Sequence, residues 1–161
     1  MFKIGDMLIH PGHGACKVDA IQKDASPDIS GTMYVLRPKG SAPGNFKILI
    51  AEEKIKKSGV RYPISQNQLS RVLQILKDEP DGFFEDSENG YHLTKEKVQS
   101  GNPYKIAKAI RILKKDDKHK YSSIKEELLQ LAKKKLIDEI AHVKRISKEE
   151  TNGLIENALR Q

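Results

Sequence analysis

The sequence predicts an α+β chain. A small antiparallel β-barrel occupies residues 1–64, and an all-α module of four to five helices occupies residues 65–161. Three observations predict this. Residues 1–64 carry short alternating apolar and polar runs bounded by Gly, Pro, Ser and Asn. From Ser65 the apolar residues recur at i, i+3, i+4 and i+7, the period of a helix. Charge also shifts along the chain: six acids and no Lys or Arg lie between Asp78 and Glu88, whereas Tyr91 to Ile146 holds fifteen Lys/Arg against seven Asp/Glu.

The β half is read from four runs. "DMLIH" and "ACKVDAI" alternate and are separated by "PGHG"; "TMYVLRP" and "NFKILI" follow. Short strands at this spacing suit a small antiparallel barrel. Lys23 to Gly31 and Pro38 to Gly44 become its loops.

The helical half opens with Leu69, Val72, Leu73 and Leu76 on one face and Ser65 as N-cap. Lys77 to Asn89 reads as a loop, and Thr94 to Gln99 as a short helix closed by Ser100-Gly101. In "NPYKIAKAIRILKKDDKHK", Asn102 is an N-cap and Pro103 suits the first helical position. At 100° per residue, Ile106, Ala109, Ile110 and Leu113 share one face, and Lys108, Arg111, Lys114, Lys115 and Lys118 lie opposite. "SSIKEELLQLAKKKLIDEIAHVKR" is the longest helix, with Ser123 and Glu126 as a capping box. Ser147 and Glu150 make a second box, opening a last helix through Leu154, Ile155, Ala158 and Leu159.

A chain of 161 residues forms one medium domain or two small ones. No run is long and apolar enough for a membrane span, and the N-terminus lacks the apolar core of a signal peptide. One cysteine gives no disulfide framework, so a reducing cytoplasm is expected. A net charge of +7 favours an anionic partner, nucleic acid first.

Chemistry-bearing residues cluster in "IHPGHGAC". His10, His13 and Cys16 stand at i, i+3 and i+6, but a structural zinc site wants four ligands in paired clusters. The other histidines, His92, His119 and His142, lie in the helical half. Cys16 sits in a β-type run, where a free cysteine behaves as a small buried hydrophobe. The stretch therefore reads as a strand–turn–strand corner: Pro11 fixes φ, Gly12 and Gly14 permit positive φ, and the His13 ring N–H serves turn carbonyls. Phosphate-loop, dinucleotide, metalloprotease and serine-hydrolase motifs are absent. The expectation is a non-enzyme with no catalytic residues, no cofactor, no metal and no small-molecule substrate. Its basic helices would meet DNA phosphates through Lys95, Lys97, Lys105, Lys108 and Arg111, with little demand for base readout.

The window "FKIGDMLIHPGHGACKVDAI" resembles the opening of the CarD/CdnL family of bacterial transcription regulators, a module shared with the transcription-repair coupling factor. Phe2, Gly5, Asp6, Pro11, His13, Gly14 and Val18 match the family pattern in one ungapped window. Likeness continues through "YVLRP", "ILIAEE", "SGNPYKIAKAIRIL" and "SSIKEELLQLAKKKLIDEIA". The resemblance implies a Tudor/SH3-like barrel that adds a strand edge to the RNA polymerase β subunit, here within Asn45–Ala51. Lys23, Phe46, Lys47, Ile48, Leu49 and Ile50 are the contact residues it implies, and edge pairing rests mainly on backbone hydrogen bonds. It further implies a helical domain that touches promoter DNA beside the melted region and shifts open-complex stability, in the cytoplasm and associated with the nucleoid.

Two departures stand out. Better known members place a Trp, then Arg residues, in the loop entering the helical domain, where the Trp wedges the minor groove. This chain has no Trp; Ser87 takes that position, followed by Glu88, Asn89 and Gly90. Phe83, Phe84 or Tyr91 would have to supply an apolar wedge, or else pack onto the helices. Asp24 and Ile48 also replace basic residues used against polymerase, with Lys23 and Lys47 adjacent. The main alternative is a protein-interaction module on polymerase without significant DNA binding. An RNA-binding protein and an enzyme using Cys16 are the others.

Overall fold

A computed structural model describes residues 1–24, 26–28, 30–40, 46–80, 82, 84, 87–115 and 122–160. Asn45, Phe83, Lys118 and His119, together with Asp81, Glu85 and Asp86 of the acidic stretch, lie outside the described residues. The chain divides into two compact units, Met1–Pro63 and Ile64–Gln161.

The first unit holds β1 (Met7–His10), β2 (Gly14–Lys23), β3 (Thr32–Pro38), β4 (Ile48–Ala51) and a one-turn helix, α1 (Glu52–Ile55). The strands form one antiparallel sheet in the order β1-β2-β3-β4. Its register explains the alternation seen in the sequence. Val18 faces Leu36, which faces Ile48; Ile21 faces Tyr34, which faces Ile50. Leu8, Cys16, Val18 and Leu36, none of them solvent-exposed, form the centre of that apolar face, and Ile55 of α1 covers it. Burying such a side chain contributes about 1.5–3 kcal/mol.

Between Val18 and Ala20 the register slips, leaving Asp19 as the extra residue of a β-bulge. Its carboxylate takes Arg37 at 2.9 Å and Lys47 at 3.6 Å. The outer edge of β1 is closed by a bridge, in which Ile9 donates to Arg61 O at 2.7 Å and Arg61 donates back to Ile9 O at 3.2 Å.

The second unit holds α2 (Gln66–Lys77), α3 (Glu88–Gln99), α4 (Pro103–Lys115), α5 (Ser122–Lys144) and α6 (Lys148–Leu159). The capping signals act locally as expected at three starts. Ser65 and Gln68 form a reciprocal capping box on α2. Asn102 Oδ1 accepts from Tyr104 N at 2.9 Å and Lys105 N at 3.3 Å on α4. Ser147 accepts from Glu150 N at 3.0 Å on α6, without the return bond of a full box. Ser123, read as the cap of α5, lies inside that helix instead.

The stretch Lys77–Asn89 is not loop to its end. Helix α3 begins at Glu88 because the Ser87 hydroxyl accepts from Gly90 N at 3.0 Å. The core runs along α4, which packs against α2, α3 and α5. Beyond the expected stripe, Ala107 and Ile112 are buried too. A helix surrounded on three sides buries more than an amphipathic face, and this leaves α4 a narrow solvent-facing strip.

Candidate functional site

In the first unit, the corner "IHPGHGAC" is a tight β1–β2 turn. The His10 ring, not His13, satisfies it, and does so as an acceptor: Nδ1 takes Gly12 N at 2.9 Å and His13 N at 3.2 Å. Gly14 needs its glycine, with φ at 70°, whereas Gly12 does not adopt positive φ. Gly59, at φ 83°, is closed to a side chain by Pro11, whose Cγ would lie 2.8 Å from a Cβ. Cys16 is buried with its Sγ 3.5 Å from Gly14 O, and burial pushes its thiol up to about 11. A thiol held protonated at neutral pH is a poor nucleophile and metal ligand. No group of His, Cys, Asp and Glu among the described residues is placed to hold a metal ion. Alkylation of Cys16 by iodoacetamide at pH 8 is therefore expected to be slow in the native chain and fast in denaturant. Rapid native labelling, followed by mass spectrometry, would contradict the buried placement.

The other motif residues around this corner are also structural. Phe2 stands edge-on to Tyr34 and Tyr62, with centroids at 5.9 and 5.1 Å. Gly5, at φ 93°, donates to Val18 O at 2.8 Å. Asp6 accepts from Lys3 N at 2.9 Å and from the Tyr62 hydroxyl at 2.8 Å, and these bonds hold its carboxyl below the usual range.

β4 is terminal in the sheet, with a strand neighbour on one side only among the described residues. Ile48 and Ile50 turn towards the core, while Leu49 is 60% exposed and Phe46, just before the strand, is 46% exposed. The Phe46 ring packs on His13 at 5.1 Å, and His13 on His10 at 4.8 Å. The N-terminal corner thus borders the entry to the edge strand, a contact between residues 33 positions apart that the sequence alone does not signal. Lys23 and Lys47 do not come together. Lys23 pairs with Thr32 at one end of the sheet, whereas Lys47 precedes Ile48, which pairs with Leu36 towards the other. Asp24, at φ 47°, closes the β2–β3 loop by accepting from Gly31 N at 2.9 Å.

In the second unit, Lys97, Lys105, Lys108 and Arg111 line one cleft of about 570 Å³ between α2, α3 and α4. Lys105 and Lys108 are exposed. Arg111 is not a free cation: Nε donates to Asp78 O at 2.8 Å, Nη1 donates to Leu159 O at 2.9 Å, and Nη2 lies 3.9 Å from Glu79. Lys114 is likewise engaged, 4.0 Å from Glu156. Glu156 also accepts from Lys133, and that bond holds its carboxyl below the usual range.

Tyr91 and Lys95 stand apart from this cleft. The buried seam of α3, Gly90, Thr94 and Val98, separates them from Leu93 and Lys97. Tyr91 is packed partly against the core, with the Lys95 ammonium 5.7 Å from its ring centroid. Phe84 is 6% exposed beneath Lys125, whose ammonium is 4.9 Å from the ring centroid, so it packs onto the helices and is not an available wedge. Ser87 caps α3.

Comparison with known proteins places these two units in one class. Residues 2–64 match the profile of the CarD-like/TRCF RID domain and residues 71–156 that of the CarD C-terminal domain. The chain belongs to the CarD family, a family of transcription factors and not of enzymes. Among individual proteins it is similar to "Putative transcription factor YdeB" of Bacillus subtilis, at 26% identity over 151 residues, covering 93% of this chain and 97% of that protein. The RID-domain match indicates an interaction with RNA polymerase. No helix among the described residues is long and apolar enough to cross a membrane.

Proposed function

We propose that this chain regulates transcription by docking on the RNA polymerase β subunit through the free edge of β4 and by meeting promoter DNA phosphates with Lys97, Lys105 and Lys108. The single observation that carries the docking half is the asymmetry of the sheet. β1 has its outer edge bridged to Arg61, while β4 has none among the described residues and presents Leu49 and Phe46 beside it. An exposed strand edge is a ready template for another strand. The basic rim of the helical cleft supports the DNA half. Charges of this kind give sequence-independent, salt-dependent attraction to the backbone, and the outcome is a shift in open-complex stability in the cytoplasm, beside the nucleoid.

Lys105→Glu with Lys108→Glu is expected to weaken promoter binding at least tenfold at low salt and to flatten the dependence of affinity on salt concentration by about two phosphate contacts. A salt-titrated mobility shift with no change would leave these lysines as solvated surface. A second reading, a polymerase-bound module with little DNA contact, is favoured by two observations: Ser87 serves as a helix cap where the family's wedge would be, and Arg111 is taken up by two carbonyls. Undiminished co-purification with polymerase by the double variant, and no promoter shift by the parent chain, would select it.

A further inference from the structure

We propose that the cleft between α2, α3 and α4 binds a free nucleotide, its phosphates at Lys97, Lys105 and Lys108 and its base on Ile75, Leu93 and Ile112. The cleft's volume of about 570 Å³ lies within the roughly 300–1,000 Å³ typical of small-molecule sites. Its exposed lysines gather at the α3–α4 corner, with Glu96 beside them. Lys97 lies near the end of α3 and Lys105 in the first turn of α4, joined through the short corner Ser100-Gly101-Asn102, and Lys108 follows about one turn later. Towards the other end Arg111 faces Glu79 and donates to two carbonyls, and Asp78 Oδ1 accepts from Gln74 Nε2 at 2.7 Å. An incoming anion therefore finds the cleft's unengaged cations among the described residues, Lys105 and Lys108 with Lys97, at the α3–α4 corner.

Between the two ends the walls are apolar, and Leu93 is 50% exposed. From Lys105 to Ile112 along α4 is about 10 Å at 1.5 Å per residue, the reach from the phosphates of a nucleotide to its base. The carboxylates sort the ligand as well. A polyanion threaded into the cleft, instead of resting on its basic rim, would meet Glu96, Glu79 and Asp78. A compact ligand turns its charge to the lysines and a neutral ring to everything else. The lysines are shared with the DNA reading, but Leu93 is not, so the two can be told apart.

The test uses the full chain and three probes, ATP, adenosine and inorganic pyrophosphate, in equilibrium dialysis and amide-shift NMR titrations. ATP is expected to bind at one site with the largest shifts at Leu93, Lys105 and Ile112, more tightly than either fragment. Leu93→Ser is expected to weaken ATP about fivefold while leaving pyrophosphate binding and the DNA mobility shift unchanged. Lys105→Glu with Lys108→Glu is expected to weaken ATP and pyrophosphate alike. All three substituted residues are solvent-facing, so the fold persists. Equal affinity for ATP and pyrophosphate, or shifts scattered over basic residues throughout the chain, would overturn the proposal as mere attraction to a basic protein. So would Leu93→Ser weakening DNA and ATP equally. Loss of DNA binding by the double lysine variant, with ATP unbound by the parent chain, would sink the nucleotide site and leave the DNA reading intact.

Discussion

Replacing Arg111 with alanine is expected to lower the melting temperature of the helical unit by about 10 °C, at low and high salt alike. The guanidinium gives two hydrogen bonds to backbone carbonyls, Asp78 O just past the end of α2 and Leu159 O at the end of α6. Its side chain is 13% exposed. Hydrogen bonds to a charged donor contribute about 1.5–3 kcal/mol, and truncation also leaves their acceptors without a protein partner. A net loss of about 2 kcal/mol moves the midpoint of a domain of this size by roughly 8–16 °C. Arg111→Lys keeps the charge but not the fork that reaches two carbonyls at once, and should recover only part of the loss. Differential scanning calorimetry checks this. An unchanged midpoint, with weakened DNA binding, would return Arg111 to the solvent-facing cations. The contrast with Lys105 and Lys108 is sharp, because substituting those exposed residues should change binding and leave the midpoint within about 1–2 °C.

Leu49→Asp should lower affinity for polymerase at least tenfold while leaving the fold intact. Leu49 is 60% exposed, on the face of β4 opposite the core, so a carboxylate there costs little in the free protein. A partner strand added to the β4 edge would place its own side chains beside it. Losing an apolar anchor and burying a charge next to a strand partner costs about 2 kcal/mol or more. Ile50→Asp is the informative contrast, since Ile50 packs against the core and its loss should appear first as instability. Surface plasmon resonance against the β subunit, alongside thermal melts, separates the two effects. Full binding by Leu49→Asp would remove the β4 edge from the interface.

What was legible in the sequence was local. The β1–β2 turn, the caps at Ser65 and Asn102 and the third strand are set by residues within a few positions of one another, and each is visible as a short pattern. The start of α3 is not visible as a pattern, because the Lys77–Asn89 loop reading runs past it, and the Ser87 hydroxyl on Gly90 N, with burial of Gly90, shows why the helix begins at Glu88. The candidate site was legible only in part. A helical wheel correctly puts Arg111 away from the main apolar stripe, but it cannot say that the ends of α2 and α6, 33 and 48 residues distant, wait there with open carbonyls. In the same way, Lys23 and Lys47 both flank substituted family positions, and antiparallel register sends them towards opposite ends of the sheet. The packing of His13 on Phe46 joins two segments whose proximity is decided by strand order alone.

Among the described residues the sheet has one margin without a strand or bridge partner, and this carries a consequence for occupancy. Two strands cannot lie along the same row of main-chain groups, so any molecules that use it must take turns. Stoichiometry at that margin is one, whatever the number of suitors, and each excludes the rest in proportion to its concentration and affinity. The bridge from Ile9 to Arg61 matters here as much as β4 itself. By engaging the β1 margin at Ile9 from within the chain, it leaves β4, among the described residues, as the margin without such a partner.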